Sequence, residues 1–297
     1  MEIKIIAQKF YDHSLYIRGY SVETIKRYRN IINMFVSFTG ITDVTDVTDD
    51  NVKKLFYDGR TKRKWKTNTF ITYHKSLVVF FRWCIEEGYI DSNPAESLEC
   101  PKLEKRIPPK LTKQDAMRLL EIVFNYPYKY PYLRYRNHAI FAVFLFAGIR
   151  KRELINLKLT DIDIENLTLF VRQGKGAKDR IIPINYRLTA ILKKYLEERS
   201  RLGKTAPEFF CSLNRNMGIT DTCMKRLVEK FRKETDIVFT IHKLRHTFAT
   251  LMLEGGCDLF SLSKMMGHEK LETTSIYLQA SAEHLRKQMI KHPLNDI

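Results

Sequence analysis

The chain has 297 residues, 44% of them hydrophobic, with 51 Lys and Arg against 34 Asp and Glu and a formal net charge of +17. This size and apolar content suit two cores rather than one. The charge points to a polyanion such as nucleic acid, or else to an ordinary basic surface. The longest apolar run, Ala139–Ile149, falls well short of the ~20 residues that a membrane span needs.

The first ~90 residues read as helical. Met1-Glu2-Ile3-Lys4 leads into an amphipathic stretch near Ile3–Arg18, so no cleavable signal is expected. Ser21 is a cap for a helix to about Phe38, on which Ile25, Tyr28, Ile31, Ile32, Phe35 and Phe38 recur at helical spacing. Lys26 and Arg27 fall on its other faces, as candidate DNA contacts. A third piece lies near Asp49–Tyr57, and a long helix runs from about Thr69 to Glu87 with Gly88 as its stop. A bundle of four or five helices over residues 1–100 is expected. Lys62, Arg63, Lys64 and Lys66, just before the long helix, suit either phosphate contacts at a helix start or a solvated charge run.

Pro94, Pro101, Pro108 and Pro109 then break regular structure, so residues 101–111 are expected to be a basic linker. Charge is uneven across it. Residues 1–100 hold 15 Lys and Arg against 13 Asp and Glu, whereas residues 101–297 hold 36 against 21.

The second domain, residues 112–297, opens on Thr112 and Asp115, a capping pair for a helix to about Phe124. Asn137–Ala147 is apolar all round, as a central buried helix would be, and Gly148 ends it. Leu167–Arg172 and Arg180–Ile184 alternate as strands around Gly174-Lys-Gly-Ala-Lys-Asp179, a hairpin with Lys175 and Lys178 at its tip. Helices follow at about Tyr186–Arg199, Ile219–Glu234, Ile241–Glu254 and Asp258–Met266, with a last segment around Tyr277. The fold class is therefore mainly α (α+β): a helical bundle, then a mostly helical domain with a small antiparallel sheet.

Several residues in this second domain suit phosphate chemistry, and each has a plainer alternative. His242 and Arg245, three apart at a helix start, share a face and can meet one anion; they also fit a surface helix with incidental basic residues. Arg150 follows the buried helix with Glu153 three residues on, either a mounted phosphate fork or a surface ion pair. Lys175 in its glycine turn can swing onto a substrate or simply close a hairpin. No Gly-x-x-x-x-Gly-Lys-Ser/Thr motif occurs, so nucleotide use is not indicated. His268 directly after Gly267 suits presentation to a site or a solvent-exposed loop, and Tyr277 among apolar neighbours suits a nucleophile or plain core. The five cysteines are widely spaced with no Cys-x-x-Cys pair, which argues against disulfides or a zinc site and suits a reducing cytoplasm.

The order Arg150, Lys175, His242-Lys-Leu-Arg245, Gly267-His268, Tyr277 resembles the tyrosine recombinase (phage integrase/Xer) family over roughly Leu111–Ile297, and the N-terminal bundle resembles that family's SAM-like core-binding domain more loosely. The resemblance implies that Tyr277 attacks a DNA phosphate to form a 3′-phosphotyrosine, with no metal, nucleotide or other cofactor. It implies that His242 takes the phenol proton, Arg150 and Arg245 stabilise the phosphorane, Lys175 protonates the leaving 5′ oxygen, and His268 binds a phosphate oxygen, with Glu153 supporting Arg150. Lys178 and Arg180 join the candidate DNA contacts. The partner implied is double-stranded DNA with specific recombination sites, on which a homotetramer, or a heterotetramer, exchanges strands through a Holliday junction. Leu285, Met289 and Ile290 in the tail Ser281–Ile297 suit docking on a neighbouring protomer or packing at home. Chromosome-dimer resolution and integration or excision of a mobile element both remain open; no arm-binding domain is expected before the bundle, which favours a simple Xer-like or transposon recombinase. A DNA-binding protein that does not cut and a type IB topoisomerase-like nickase are the competing readings.

Overall fold

The computed structural model describes residues 1–103, 108–172, 179–268 and 270–280. The chain divides into two units, Met1–Lys105 and Arg106–Ile297, each built on its own core.

In the first unit, α1 (Ile3–Asp12) continues into a π-helical turn at His13–Ile17 and is followed by α2 (Val22–Thr39), α3 (Asp49–Thr61) and α4 (Thr67–Glu86). The local starts and stops are chemical. Ser21 Oγ accepts from Thr24 N–H at the start of α2, and Gly40, at φ +72°, ends it. Thr48 and Asn51 cap α3 reciprocally. The apolar stripes meet in an aromatic core in which Phe10 contacts Tyr28, Phe80 and Trp83 at ring-centroid distances of 5.1–5.5 Å.

The second unit is organised around α6 (Pro131–Phe146), against which α5 (Lys113–Asn125), α8 (Tyr186–Arg201) and α10 (Ile241–Glu254) pack. From Ala139 to Phe144 every α6 side chain is buried. The helix begins six residues earlier than expected, with Pro131 in its first turn. Arg136 hid that start from the apolar pattern: it is itself buried, donating to Asn137 Oδ1 and to the Cys211 carbonyl. Short α7 (Lys151–Asn156) follows, then an antiparallel sheet in the order β1 (Ile162–Asp163), β2 (Thr168–Val171), β3 (Arg180–Pro183). The register pairs Val171 with Arg180 and Leu169 with Ile182, which turns Leu169, Val171 and Ile182 into the core. The expected tip of this hairpin, with Lys175 and Lys178, lies outside the described residues.

After α9 (Asp221–Thr235) and α10, α11 (Leu259–Met266) and α12 (Leu271–Ala280) close the described chain. Lys110 and Leu111, expected to end the linker, are fastened to α10. Lys110 pairs with Glu254, and the Leu111 amide donates to Thr247 Oγ1 at 2.8 Å. No described helix is long and apolar enough to cross a membrane.

Candidate active site

The site forms where the end of α6, the start of α7, β3, α10, the α11–α12 turn and α12 converge. Gly148, at φ +59°, makes the first half possible. A Cβ there would lie 2.1 Å from the Phe248 ring, so only glycine lets the chain turn between α6 and α10. Arg150 then caps α7, and its backbone N–H donates to Glu153 Oε2 at 2.7 Å. Its guanidinium donates to Glu153 Oε1 at 2.8 Å and to the Gly267 carbonyl at 2.9 Å.

Glu153 is the hub beneath the arginines. Its carboxylate, 6% exposed, also receives two bonds from Arg180, at 2.9 and 2.8 Å. Burial pushes this acid up, but the Arg180 bonds and charge, with those of Arg150, outweigh it and hold the carboxyl down at about 2. Arg180 also donates to the Met265 carbonyl. Expected on a DNA-facing surface, Arg180 is instead 9% exposed and spends its donors inside the protein. Its geometry is that of a brace for Glu153 and the α11 end, a role hidden in sequence because the partner is 27 residues away.

Arg245 rises from α10 and is buried. It donates to the Gly148 carbonyl, to the Met266 carbonyl at 2.6 Å, and to His268 Nε2 at 3.3 Å. Burial, then the neighbouring charge of Arg150, brings its guanidinium down to about 10, so it remains cationic at neutral pH. His268 follows Gly267, which adopts φ +63° at the end of α11. With Nε2 accepting from Arg245, its Nδ1 carries the proton and donates to Thr274 Oγ1 at 2.8 Å. Burial, then the charges of Arg245, Arg150 and Arg180, holds the imidazole at about 4, so His268 is neutral here.

Tyr277 lies on α12, one helical turn beyond Thr274, 2% exposed among Phe248, Leu253, Leu262 and Met266. Its ring stacks on His268, with centroids 6.4 Å apart and planes at 14°. Burial raises the phenol above its ordinary value, against the opposing pull of Arg245 and Arg150. The hydroxyl pairs with His246 Nδ1 at 2.8 Å. His242, expected to take the phenol proton, is exposed one turn earlier on α10, and no hydrogen bond joins it to Tyr277 among the described residues. His246 and Thr274 were not singled out from the sequence. His246 was within sight, four residues after His242 and therefore on the same helical face.

Of the six residues expected to act together, Arg150, Arg245, His268 and Tyr277 meet in one site. His242 stands at its margin, and Lys175 is outside the described residues. In the first unit Lys26, Arg27, Lys62, Arg63, Lys64 and Lys66 are all exposed. Lys26 faces Glu23 at 3.6 Å, Lys62 pairs with Asp58 at 2.8 Å, and Arg27 and Arg63 lie over the rings of Tyr28 and Phe38.

Two arginines, a neutral histidine and a buried tyrosine thus converge in the second of two helical units. The chain belongs to the phage integrase family: residues 109–284 match the phage integrase family and residues 6–91 the N-terminal SAM-like domain of phage integrases. It is similar to the tyrosine recombinase XerC of Thermodesulfovibrio yellowstonii, at 33% identity, covering 96% of this chain and 95% of that one. It is 36% identical to the tyrosine recombinase XerA of Thermococcus onnurineus over 73% of this chain and 72% of the relative. Its fold is that of the XerH site-specific recombinase bound to a palindromic difH substrate, with a TM-score of 0.76 at 20% identity, covering 92% of this chain and 81% of that one.

Proposed function

We propose that this protein is a site-specific DNA recombinase that cuts and rejoins strands through a 3′-phosphotyrosine on Tyr277. The observation that carries the reading is the meeting of Arg150 and Arg245 with His268 against a buried Tyr277, in a chain of this family. A phosphodiester entering the site meets two guanidinium forks that can exchange their carbonyl partners for non-bridging oxygens. As the phenol oxygen attacks, negative charge grows on the phosphorane, and two fixed cations in a water-poor pocket stabilise it. The leaving 5′ oxygen takes a proton from an acid, the role that the family resemblance gives to Lys175. A 5′-hydroxyl from a second strand reverses the steps, so phosphodiester bond energy is kept in the covalent intermediate.

On this reading double-stranded DNA is the substrate, and the exposed cations Lys26, Arg27, Lys62, Arg63, Lys64 and Lys66, with Lys178 of the hairpin, contact its backbone. Four protomers assemble on two sites and pass through a Holliday junction, the tail Ser281–Ile297 docking between neighbours. The recombined element is either a mobile element or a chromosome dimer.

The test starts from sheared DNA of the source genome. Fragments retained covalently by the wild-type protein identify the site, and Tyr277→Phe retains none. Two plasmids carrying that site then yield joined products. Covalent capture without joined products favours a nickase, and capture by Tyr277→Phe removes Tyr277 as nucleophile.

A further inference from the structure

His246 faces the phenol of Tyr277 and has no part in the roles set out above. Its Nδ1 lies 2.8 Å from the Tyr277 hydroxyl, with the two ring centroids 5.5 Å apart. That is the reach at which a base takes a proton directly. His246 is half-buried in the middle of α10, a rigid mount whose Thr250 hydroxyl donates to the His246 carbonyl at 3.0 Å. His242, the expected base, lies at the exposed start of the same helix. Resting on the recombinase reading, we propose that His246 is the catalytic base that receives the Tyr277 proton during attack and returns it on religation.

The step balances as follows. The Tyr277 Oη–phosphorus bond forms and the phosphorus–O5′ bond breaks. The phenol proton passes to His246 Nδ1, and the 5′ oxygen gains a proton from the acid, the role the family resemblance gives to Lys175. For Nδ1 to accept, the neutral ring must carry its proton on Nε2, and the ring must be neutral before attack. Burial, followed by the charges of His242 and Arg245, holds His246 below its ordinary value, which keeps it so near pH 7. The titratable and charged groups acting on it are His242 and Arg245 on its own helix and Tyr277 from α12, with His268 beyond the phenol ring. Burial raises the Tyr277 phenol, and Arg245 and Arg150 oppose that rise, easing the negative charge that grows on its oxygen as the proton leaves.

The test uses the full chain and a duplex carrying the recovered site with a sulfur replacing the bridging 5′ oxygen. A thiolate leaves without an acid, so the rate of covalent adduct formation reports on the base alone. For the wild type, the rate is expected to fall with acid through a single ionisation below about pH 6.5, the ordinary histidine value. His246→Ala is expected to lower the plateau by about 10²–10⁴-fold, the usual size of general-base catalysis, and to abolish the acid limb. His246→Asn, which keeps an acceptor facing the phenol but cannot take its proton, should behave like His246→Ala while binding the duplex as the wild type does. His242→Ala should keep the limb. The assignment is overturned if His246→Asn reacts near the wild-type rate with the limb intact, which would leave His246 as a positioning residue, or if His242→Ala loses the limb. Should His246→Ala fail to fold, His246→Asn decides alone. Absence of any adduct from the wild type overturns the recombinase reading instead.

Discussion

Glu153 shows how a residue that never meets substrate can decide whether the site exists. Its carboxylate binds two of three crowded guanidinium groups, those of Arg150 and Arg180, and fixes the direction of Arg150. Its folded-state value of about 2 lies below the ordinary 4.5, so its stabilisation is complete above pH 4.5 and is lost as pH falls through about 2. Glu153→Gln is expected to cost about 3–5 kcal/mol at neutral pH, because it leaves buried cations uncompensated. The urea midpoint at pH 7 measures that loss. The variant's stability should also change less than the wild type's between pH 4.5 and 2, and equal slopes would contradict the assignment. Glu153 was visible in sequence as the i+3 partner of Arg150. Arg180 was not, because its pairing depends on how β3 meets α7.

At the scale of elements, legibility follows from whether the controlling chemistry is local. The bounds of α10 were readable as Ile241–Glu254, since Thr240 caps one end and Gly255 stops the other. The start of α6 was not, because Arg136 looks like a surface residue and finds its carbonyl partner 75 positions away. The choice between His242 and His246 was unreadable for the same reason. Both lie on one face of α10, and the packing of α12 decides which one meets Tyr277. Gly148 provides an element-level test. Gly148→Ala would meet both the Phe248 ring and an unfavourable positive φ. A loss of about 2–5 kcal/mol is expected from strain and overpacking together, measured by thermal unfolding. Gly203→Ala, at φ +60° with open space around its Cβ position, should cost only the smaller backbone part.

For the whole molecule, charge sets the conditions of function. The excess of Lys and Arg lies mostly after residue 100, while the first unit contributes exposed cations of its own. If the two units together neutralise six to ten phosphates, affinity for the duplex should fall by about 10³–10⁵-fold between 50 and 200 mM salt. Fluorescence anisotropy across that range measures the slope. Replacing Lys62, Lys64 and Lys66 by Gln should make it shallower by nearly three counterions. An unchanged slope would remove these residues from the DNA contact.

The short helix α12 carries Thr274 and Tyr277 one turn apart, facing His268 and His246 in turn. Nucleophile and tautomer control therefore travel on one rigid strut of ten residues. Any shift of this helix that draws Tyr277 away from His246 also draws Thr274 away from the Nδ1 proton of His268. On the recombinase reading, the placement of the Tyr277 hydroxyl and the tautomer of His268 are therefore set together by one helix.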